Sequence, residues 1–153
     1  MSTTNFSTTL LVEQTPKEAF DAINNVRGWW SETVEGGTNE LNDEFIYRHK
    51  DLHYSKHKLI EVIPNKRVVW LVTDSQLNFI EDKKEWNGTQ ISFDISKKDG
   101  KTQILFTHHG LVPEKECFSA CFDGWSYYLH KSLLPLITKG KGQPDLKAEM
   151  MES

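Results

Sequence analysis

A long helical pattern in the last third of the chain limits the folds that the chain can adopt. Between residues 116 and 137, large apolar side chains recur at the spacing of one helix face: Phe118, Cys121, Phe122, Trp125, Leu129, Leu133 and Leu136. Such a stripe must pack against a second apolar surface. We expect the helix to cover residues 114–138 and to stop at Lys139-Gly140, with Pro135 kinking or loosening its last turns.

The residues before this helix predict the surface against which it packs. Residues 5–13 alternate loosely and predict a strand, and Thr15-Pro16-Lys17-Glu18 is a capping box that begins a helix. That helix frays at Asn24-Asn25, and a second short helical turn follows over residues 26–30. From residue 32 to residue 109 the pattern is one of strands, including 33–35, with turns at 36–37, 64–67 and 99–100. Residues 74–87 are predicted as a loop of about fourteen residues, long enough for a lid.

Adjacent strands joined by short turns form an antiparallel sheet. The sequence therefore predicts an α+β domain, in which a curled antiparallel sheet of about six to seven strands wraps on the long C-terminal helix and two short helices follow the first strand. One helix cannot fill the concavity of such a sheet, so a space is expected between them. A chain of 153 residues suits one domain, predicted at residues 1–142 and followed by a mobile polar tail at 143–153.

Composition excludes several classes of function. A formal net charge of −4 and the absence of a basic stripe argue against a nucleic-acid partner. No apolar run is long enough for membrane insertion, and the N-terminus lacks the pattern of a signal peptide. The two cysteines, Cys117 and Cys121, provide no disulfide framework, so we expect a reduced cytoplasmic protein. No phosphate-binding glycine loop, nucleophile elbow or pair of catalytic carboxylates is present, and no cofactor is expected.

Three segments carry a resemblance to a known superfamily: TPKEAFDAINNVRGWWSE at residues 15–32, KLIEVIPNKRVVWLV at 58–72 and GWSYYLHKSL at 124–133. With the order of elements, they resemble the START-like (SRPBCC) helix-grip superfamily, in particular the group similar to the C-terminal domain of the heat-shock-protein-90 ATPase activator. The resemblance covers residues 6–142. It implies a hydrophobic cavity under the long helix, in a superfamily that includes lipid carriers, plant hormone receptors and cyclases. It implies no catalytic residues.

Aromatic residues are the main candidates for lining this space, because each buries about 150–250 Å2. With neighbouring histidines and helix residues they form the predicted ligand-binding set: Trp29, Trp30, Phe45, Tyr47, His49, Trp70, Phe93, Phe106, His108, Cys121, Trp125, Tyr128 and Leu129. The same side chains can instead interdigitate into a closed core. An inward His49 or His108 can anchor a ligand or act as a base, or can be a core histidine satisfied by the backbone or a tyrosine hydroxyl.

Metal binding and cysteine chemistry are weaker interpretations. A zinc site would combine Cys117 and Cys121 with His108 and His109, but structural zinc sites usually pair their ligands across a tight turn. Cys121 also fits the apolar stripe as a small hydrophobic side chain. A cysteine nucleophile needs a base and an electropositive setting, neither of which the sequence provides. No metal is expected.

Three hypotheses follow for the function. The leading one is non-catalytic binding of a small hydrophobic or aromatic ligand between the C-terminal helix and the sheet, oriented by Tyr47, His49 or His108 and gated by residues 74–87. The second is a cyclase-type enzyme in which His49, His108 or Tyr128 moves a proton. The third is a protein interaction module with a chaperone partner, which requires an exposed patch and a filled interior.

Overall fold

Seven strands, two short N-terminal helices and a segmented C-terminal helix are the regular elements of the described part of the chain. The computed structural model describes residues 5–49, 53–78, 81, 83–112 and 118–144. The strands are β1 (Phe6–Val12), β2 (Glu35–Gly36), β3 (Glu44–His49), β4 (His53–Ile63), β5 (Arg67–Leu77), β6 (Gln90–Lys98) and β7 (Lys101–His109). The helices are α1 (Pro16–Asn24), α2 (Val26–Trp29), α3 (Phe118–Tyr128) and α4 (Leu134–Lys139), with a π-helical turn (Leu129–Leu133) between the last two.

The strands form one curled antiparallel sheet in the order β1-β7-β6-β5-β4-β3-β2. The predicted α+β helix-grip architecture is confirmed. Hairpins join all neighbours except β1, which pairs with β7 so that Phe6 lies opposite His108. The β4–β5 pair contains two register shifts, at Lys56/His57 and at Leu59/Glu61. Such irregularities bend a sheet and re-aim its side chains, and here they flank the strand face that carries His57.

The N-terminal helices are positioned by local signals in the sequence. The predicted capping box is present: the backbone N–H of Glu18 donates to Thr15 Oγ1 at 3.1 Å, and that of Thr15 donates to Glu18 Oε1 at 3.0 Å. α1 packs against β6 and β7 and buries Ala19 and Ile23. It ends at Asn24, as expected, and the short α2 turns its last residue, Trp29, toward the sheet.

The C-terminal helix changes its winding near its end. The five residues Leu129–Leu133 form a π-helical turn, and α4 then begins one residue before Pro135. Proline has no N–H to donate and clashes with the carbonyl four residues earlier, so a wider turn before Pro135 accommodates it. The loosening predicted from Pro135 is confirmed. The helix stops at Gly140, whose φ of 79° is left-handed. The predicted start at residue 114 lies outside the described residues.

Two predicted boundaries were wrong. β5 continues to Leu77, because Ser75 and Leu77 keep the inward alternation and pair with the start of β4. The connection to β6 is therefore shorter than the predicted 74–87. The strand predicted at 33–35 is displaced to Glu35–Gly36, where two residues pair with β3. Of the predicted tail, Gln143 is held by its backbone N–H, which donates to Ser132 Oγ at 2.7 Å.

The concave face of the sheet and the helices enclose one apolar core. It is rich in fully buried rings, among them Trp29, Trp70, Phe45, Phe93 and Phe106. Across the described ranges, which omit 113–117 and several loop residues, no helix is both long and apolar enough to cross a membrane.

Candidate functional site

An aromatic cluster lies between the sheet and the C-terminal helix. Its members come from every layer of the fold: Trp29, Trp30, Phe45, Tyr47, His53, His57, Trp70, Trp86, Phe93, Phe106, His108 and Trp125. Trp30 lies at its centre and stacks on Tyr47 at 4.4 Å and on Trp70 at 6.1 Å between ring centroids. The cluster therefore joins the end of α2 to β3 and β5.

The break between α1 and α2 positions the two adjacent tryptophans. Trp29 Nε1 donates to the carbonyl of Ile23 at 3.1 Å, which fixes its indole against α1. The Trp29 ring stacks with Trp30 at 6.2 Å and meets Phe93 edge-on at 6.1 Å. Both indoles are thereby turned into the core, as the sequence predicted.

Trp86 closes the cluster at the side of the β5–β6 connection. Its ring is 4% exposed and packs edge-on against His53 at 4.9 Å and His108 at 4.8 Å. It also stacks on Trp125 of α3 at 5.9 Å. Trp86 was absent from the predicted site, although an apolar indole in a polar connecting segment was an available signal.

His108 is a buried histidine with both ring nitrogens in hydrogen bonds. Trp125 Nε1 donates to His108 Nδ1 at 3.1 Å, so Nε2 carries the proton of the neutral ring. Nε2 then donates to Thr89 Oγ1 at 2.9 Å, and that hydroxyl donates to the carbonyl of Trp86. Burial, together with the nearby His109, lowers the pKa of His108 to about 3. At physiological pH His108 is therefore a neutral structural histidine, and both of its ring nitrogens are hydrogen-bonded within the protein.

A second buried histidine belongs to a chain of polar side chains on β4. His53 Nε2 lies 3.1 Å from Ser55 Oγ, and Ser55 Oγ lies 2.8 Å from His57 Nε2. Ser55 and His57 have no exposed surface, whereas His53 is half-buried. Burial lowers the pKa of His57 well below its usual value, and the nearby His53 and His108 lower it further. His57 is therefore neutral at physiological pH.

Three buried polar atoms of the cluster have no hydrogen-bond partner: His57 Nδ1, Trp70 Nε1 and Trp86 Nε1. They belong to neighbouring rings, since the His57 centroid lies 5.5 Å from that of Trp70 and 6.5 Å from that of Trp86. A buried donor or acceptor without a partner costs about 1–3 kcal/mol. Such groups are normally paired with protein, water or a bound molecule. The cluster thus has a polar side with unused hydrogen-bonding capacity.

The structure brings together most of the predicted site residues. The following all lie in the single apolar core: Trp29, Trp30, Phe45, Tyr47, Trp70, Phe93, Phe106, His108, Cys121, Trp125, Tyr128 and Leu129. Their side chains are at most 7% exposed, so these residues fill the space that the sequence left open between helix and sheet. For His49 only its backbone place in β3, opposite His53, is described. That these residues bind a ligand stays a prediction.

Cys121 departs from the reduced state expected from the sequence, because it is disulfide-bonded. The other cysteine of the chain, Cys117, lies outside the described residues. A sulfur atom in a disulfide cannot act as a thiolate ligand or nucleophile. The zinc and cysteine-nucleophile interpretations are therefore not supported in this state of the chain.

An open groove lies away from the cluster, on the outer side of α1. It has a volume of about 500 Å3 and is lined by polar and charged side chains such as Asp21, Arg27 and Asn39. Arg27 is committed to the fold, since its guanidinium donates to the carbonyls of Val34 and Gly36. The groove therefore does not provide the apolar site that the sequence predicted.

Comparison with solved structures identifies similar folds. The chain is similar to the Aha1 dimer from Colwellia psychrerythraea, with 22% identity, a TM-score of 0.73, and coverage of 91% of this chain and 99% of that one. It is also similar to CalU16 from Micromonospora echinospora, with 12% identity, a TM-score of 0.61, and coverage of 95% of this chain and 78% of that one. A third similar structure is DynU16, a putative protein in the dynemicin biosynthetic locus, with 12% identity and a TM-score of 0.62. The match spans 89% of this chain and 48% of DynU16.

These identities establish a shared fold and nothing finer. No protein-family model matches the chain, and no curated protein matches it. The geometry of the cluster must therefore carry any functional argument.

Proposed function

Because the chain has the helix-grip fold of START-like proteins, we propose that it binds a small aromatic or hydrophobic molecule at the aromatic cluster, without transforming it. The observation that carries the proposal is the set of three unpartnered polar atoms, His57 Nδ1, Trp70 Nε1 and Trp86 Nε1. A ligand with an oxygen atom offers partners to such groups, while the surrounding rings supply apolar contact.

Binding requires a ring to move, because the described rings occupy the space between sheet and helix. Trp86 is the best candidate. It lies in a connecting segment rather than in a strand or helix, and its indole nitrogen makes no hydrogen bond. Trp70, by contrast, is fixed within β5 between two neighbouring strands. We expect the Trp86 indole to swing out and a ligand ring to take its place against His108 and Trp125.

The first experiment is native mass spectrometry of the purified protein, with the denatured mass as control. It is followed by thermal unfolding with 2-naphthol, naphthalene or dodecanoic acid. A ligand present at a hundred times its Kd stabilises by about 2.7 kcal/mol, which raises Tm by roughly 5–10 °C in a domain of this size. The proposal would be contradicted if the native mass equalled the denatured mass and none of the three compounds changed Tm.

A pair of conservative variants tests the polar side of the site. Trp70→Phe removes an indole N–H that has no partner, whereas Trp29→Phe removes one that already donates to Ile23. We expect Trp70→Phe to weaken 2-naphthol binding about fivefold, the equivalent of one hydrogen bond, and to leave naphthalene binding unchanged. Trp29→Phe should change neither affinity. Equal 2-naphthol affinities of the wild type and Trp70→Phe would show that the Trp70 indole N–H does not bind the ligand hydroxyl.

A second candidate function is a protein interaction module with a chaperone partner. The observation that favours it is the similarity to the Aha1 dimer over nearly the whole of both chains. Its test is the ATPase rate of the purified heat-shock-protein-90 of the host, with and without this chain. A rate increase that persists in Trp70→Phe would support the module independently of ligand binding.

A further inference from the structure

We propose that His53, Ser55 and His57 form a proton relay between the solvent side of β4 and the aromatic cluster, and that the bound molecule carries a weakly acidic hydroxyl group, a phenol or an enol. The inference rests on the proposed function for its ligand. It goes beyond that function because it assigns proton transfer to a chain of residues that binding alone does not need.

The geometry of β4 provides the continuous path. Alternate residues of a strand face the same side, so His53, Ser55 and His57 line up on the inward face. The two gaps of 3.1 Å and 2.8 Å are both within hydrogen-bonding distance. At its outer end His53 is half-buried. At its inner end His57 is enclosed by aromatic rings, with Phe45 stacked on it at 4.8 Å and Trp30 edge-on at 5.4 Å.

The proton transfers along the relay leave no charge on the buried His57 ring. A ligand hydroxyl gives its proton to His57 Nδ1, and His57 passes its Nε2 proton to Ser55 Oγ. Ser55 passes its own hydroxyl proton to His53 Nε2, and His53 releases its Nδ1 proton to solvent. Each histidine ends as the other neutral tautomer, and the ligand oxygen carries the negative charge.

The electrostatic setting of His57 fits this route. The titratable groups that act on it are His53 of the same strand and His108 of β7, both of which disfavour a cation there. A buried histidine that is difficult to protonate can still transfer a proton when it gives one up as it accepts another. The unpartnered indole N–H of Trp70 lies on a ring next to His57 and can donate to a developing oxyanion.

The relay can be tested without any ligand by nitrogen-15 NMR of the histidine rings in the full chain. At about pH 8, Nδ1 of His57 is expected to be unprotonated, because a buried N–H without a partner is less tolerated than a buried acceptor. When the pH is lowered until the His53 ring carries two protons, its Nε2–H donates to Ser55 Oγ. Ser55 must then donate to His57 Nε2, so the His57 proton moves to Nδ1.

We therefore expect the His57 tautomer to switch in step with the charge of His53 in the wild type. Ser55→Ala should abolish the switch, and His53→Gln, which changes only the half-buried end, should abolish it as well. Ser75→Ala is the matched control. Ser75 is equally buried and lies opposite Ser55 on β5, but it donates to Asn87 and not to a histidine. An unchanged His57 tautomer while His53 titrates would overturn the relay.

A second readout separates the relay from ligand binding. With 2-naphthol bound, a rapid pH jump followed by absorbance measures how fast the bound hydroxyl ionises. Ser55→Ala should slow this step by about a hundredfold, the scale of a lost proton-transfer group, and the Kd of each variant is measured in parallel. Equal rates with equal Kd values would overturn the relay and leave the binding site intact. A tautomer switch without binding of any compound would instead contradict the proposed function alone.

Discussion

Two buried neutral histidines should make the stability of the protein depend on pH. Burial lowers the pKa of both His57 and His108 in the folded chain. In the unfolded chain both side chains return to their usual pKa of about 6.5. Below that pH the unfolded state binds more protons than the folded state, so the free energy of unfolding falls as the pH falls.

The size of the loss follows from the number of histidines and the pH interval. Between pH 7.5 and pH 5.5, each histidine that stays neutral in the folded chain lowers the free energy of unfolding by about 1.4 kcal/mol. The pair therefore lowers it by about 2.7 kcal/mol. The interval lies above the usual pKa range of carboxyl groups, which limits their contribution. For His108 the loss continues at lower pH until its folded pKa of about 3.

Urea denaturation at the two pH values, followed by tryptophan fluorescence, measures this difference, provided that the m-value stays constant. His108→Gln should lose about half of the wild-type pH dependence, whatever its own stability. Thr107→Ala is the control, because Thr107 is also a neighbour of His108 on β7 but has no ionisable side chain. It should retain the full dependence.

Two results would contradict the role assigned to the buried histidines. A wild-type loss below about 0.5 kcal/mol would mean that the histidines are not held neutral by burial. The same loss in His108→Gln as in the wild type would mean that the dependence arises from other groups.

Urea denaturation also tests three single contacts. Thr15→Ala should lower the free energy of unfolding by about 1 kcal/mol through loss of the capping box, and an unchanged midpoint would contradict that role. Gly36→Ala should lower the free energy of unfolding clearly more than Gly100→Ala does. Both positions have positive φ and an expected strain of about 1–2 kcal/mol, but only at Gly36 would a new Cβ collide with a neighbouring backbone carbonyl. Equal losses of unfolding free energy in the two variants would show that the predicted collision at Gly36 does not affect stability. Ser132→Ala should cost about 1–3 kcal/mol because its hydroxyl bridges two backbone groups, and a change near zero would show that the bridge contributes nothing.

Features encoded by neighbouring residues were predictable from the sequence. The capping box at Thr15, the helix break at Asn24-Asn25 and the Asp99-Gly100 hairpin each depend on residues a few positions apart, and each occurs in the structure. The fold class followed from the order of such elements. The inward set of aromatics followed from alternation, which places Trp70, Phe93 and Phe106 on the concave face.

The polar side of the site was not predictable in the same way. On β4 the inward residues begin with His53, Ser55 and His57, so polarity along this strand does not distinguish its inner face from its outer one. Burial of these side chains depends on Trp86 and Trp30, which lie far away in sequence. The alternation in the sequence therefore predicted a site role for His49 and none for His57. The end of β5 was missed for a related reason, since Ser75 is a buried polar residue.

The place of β1 in the sheet has a consequence for synthesis on the ribosome. β1 is made before the other described strands, but among them it pairs with β7 alone, so Phe6 has no strand partner until His108 has left the exit tunnel. β3 to β7 are joined as successive hairpins and can pair as they emerge. Closing a loop of this length carries an entropic cost that local hairpins avoid. The nascent chain therefore carries β1 unpaired until β7 has been made, and the sheet gains that edge only then.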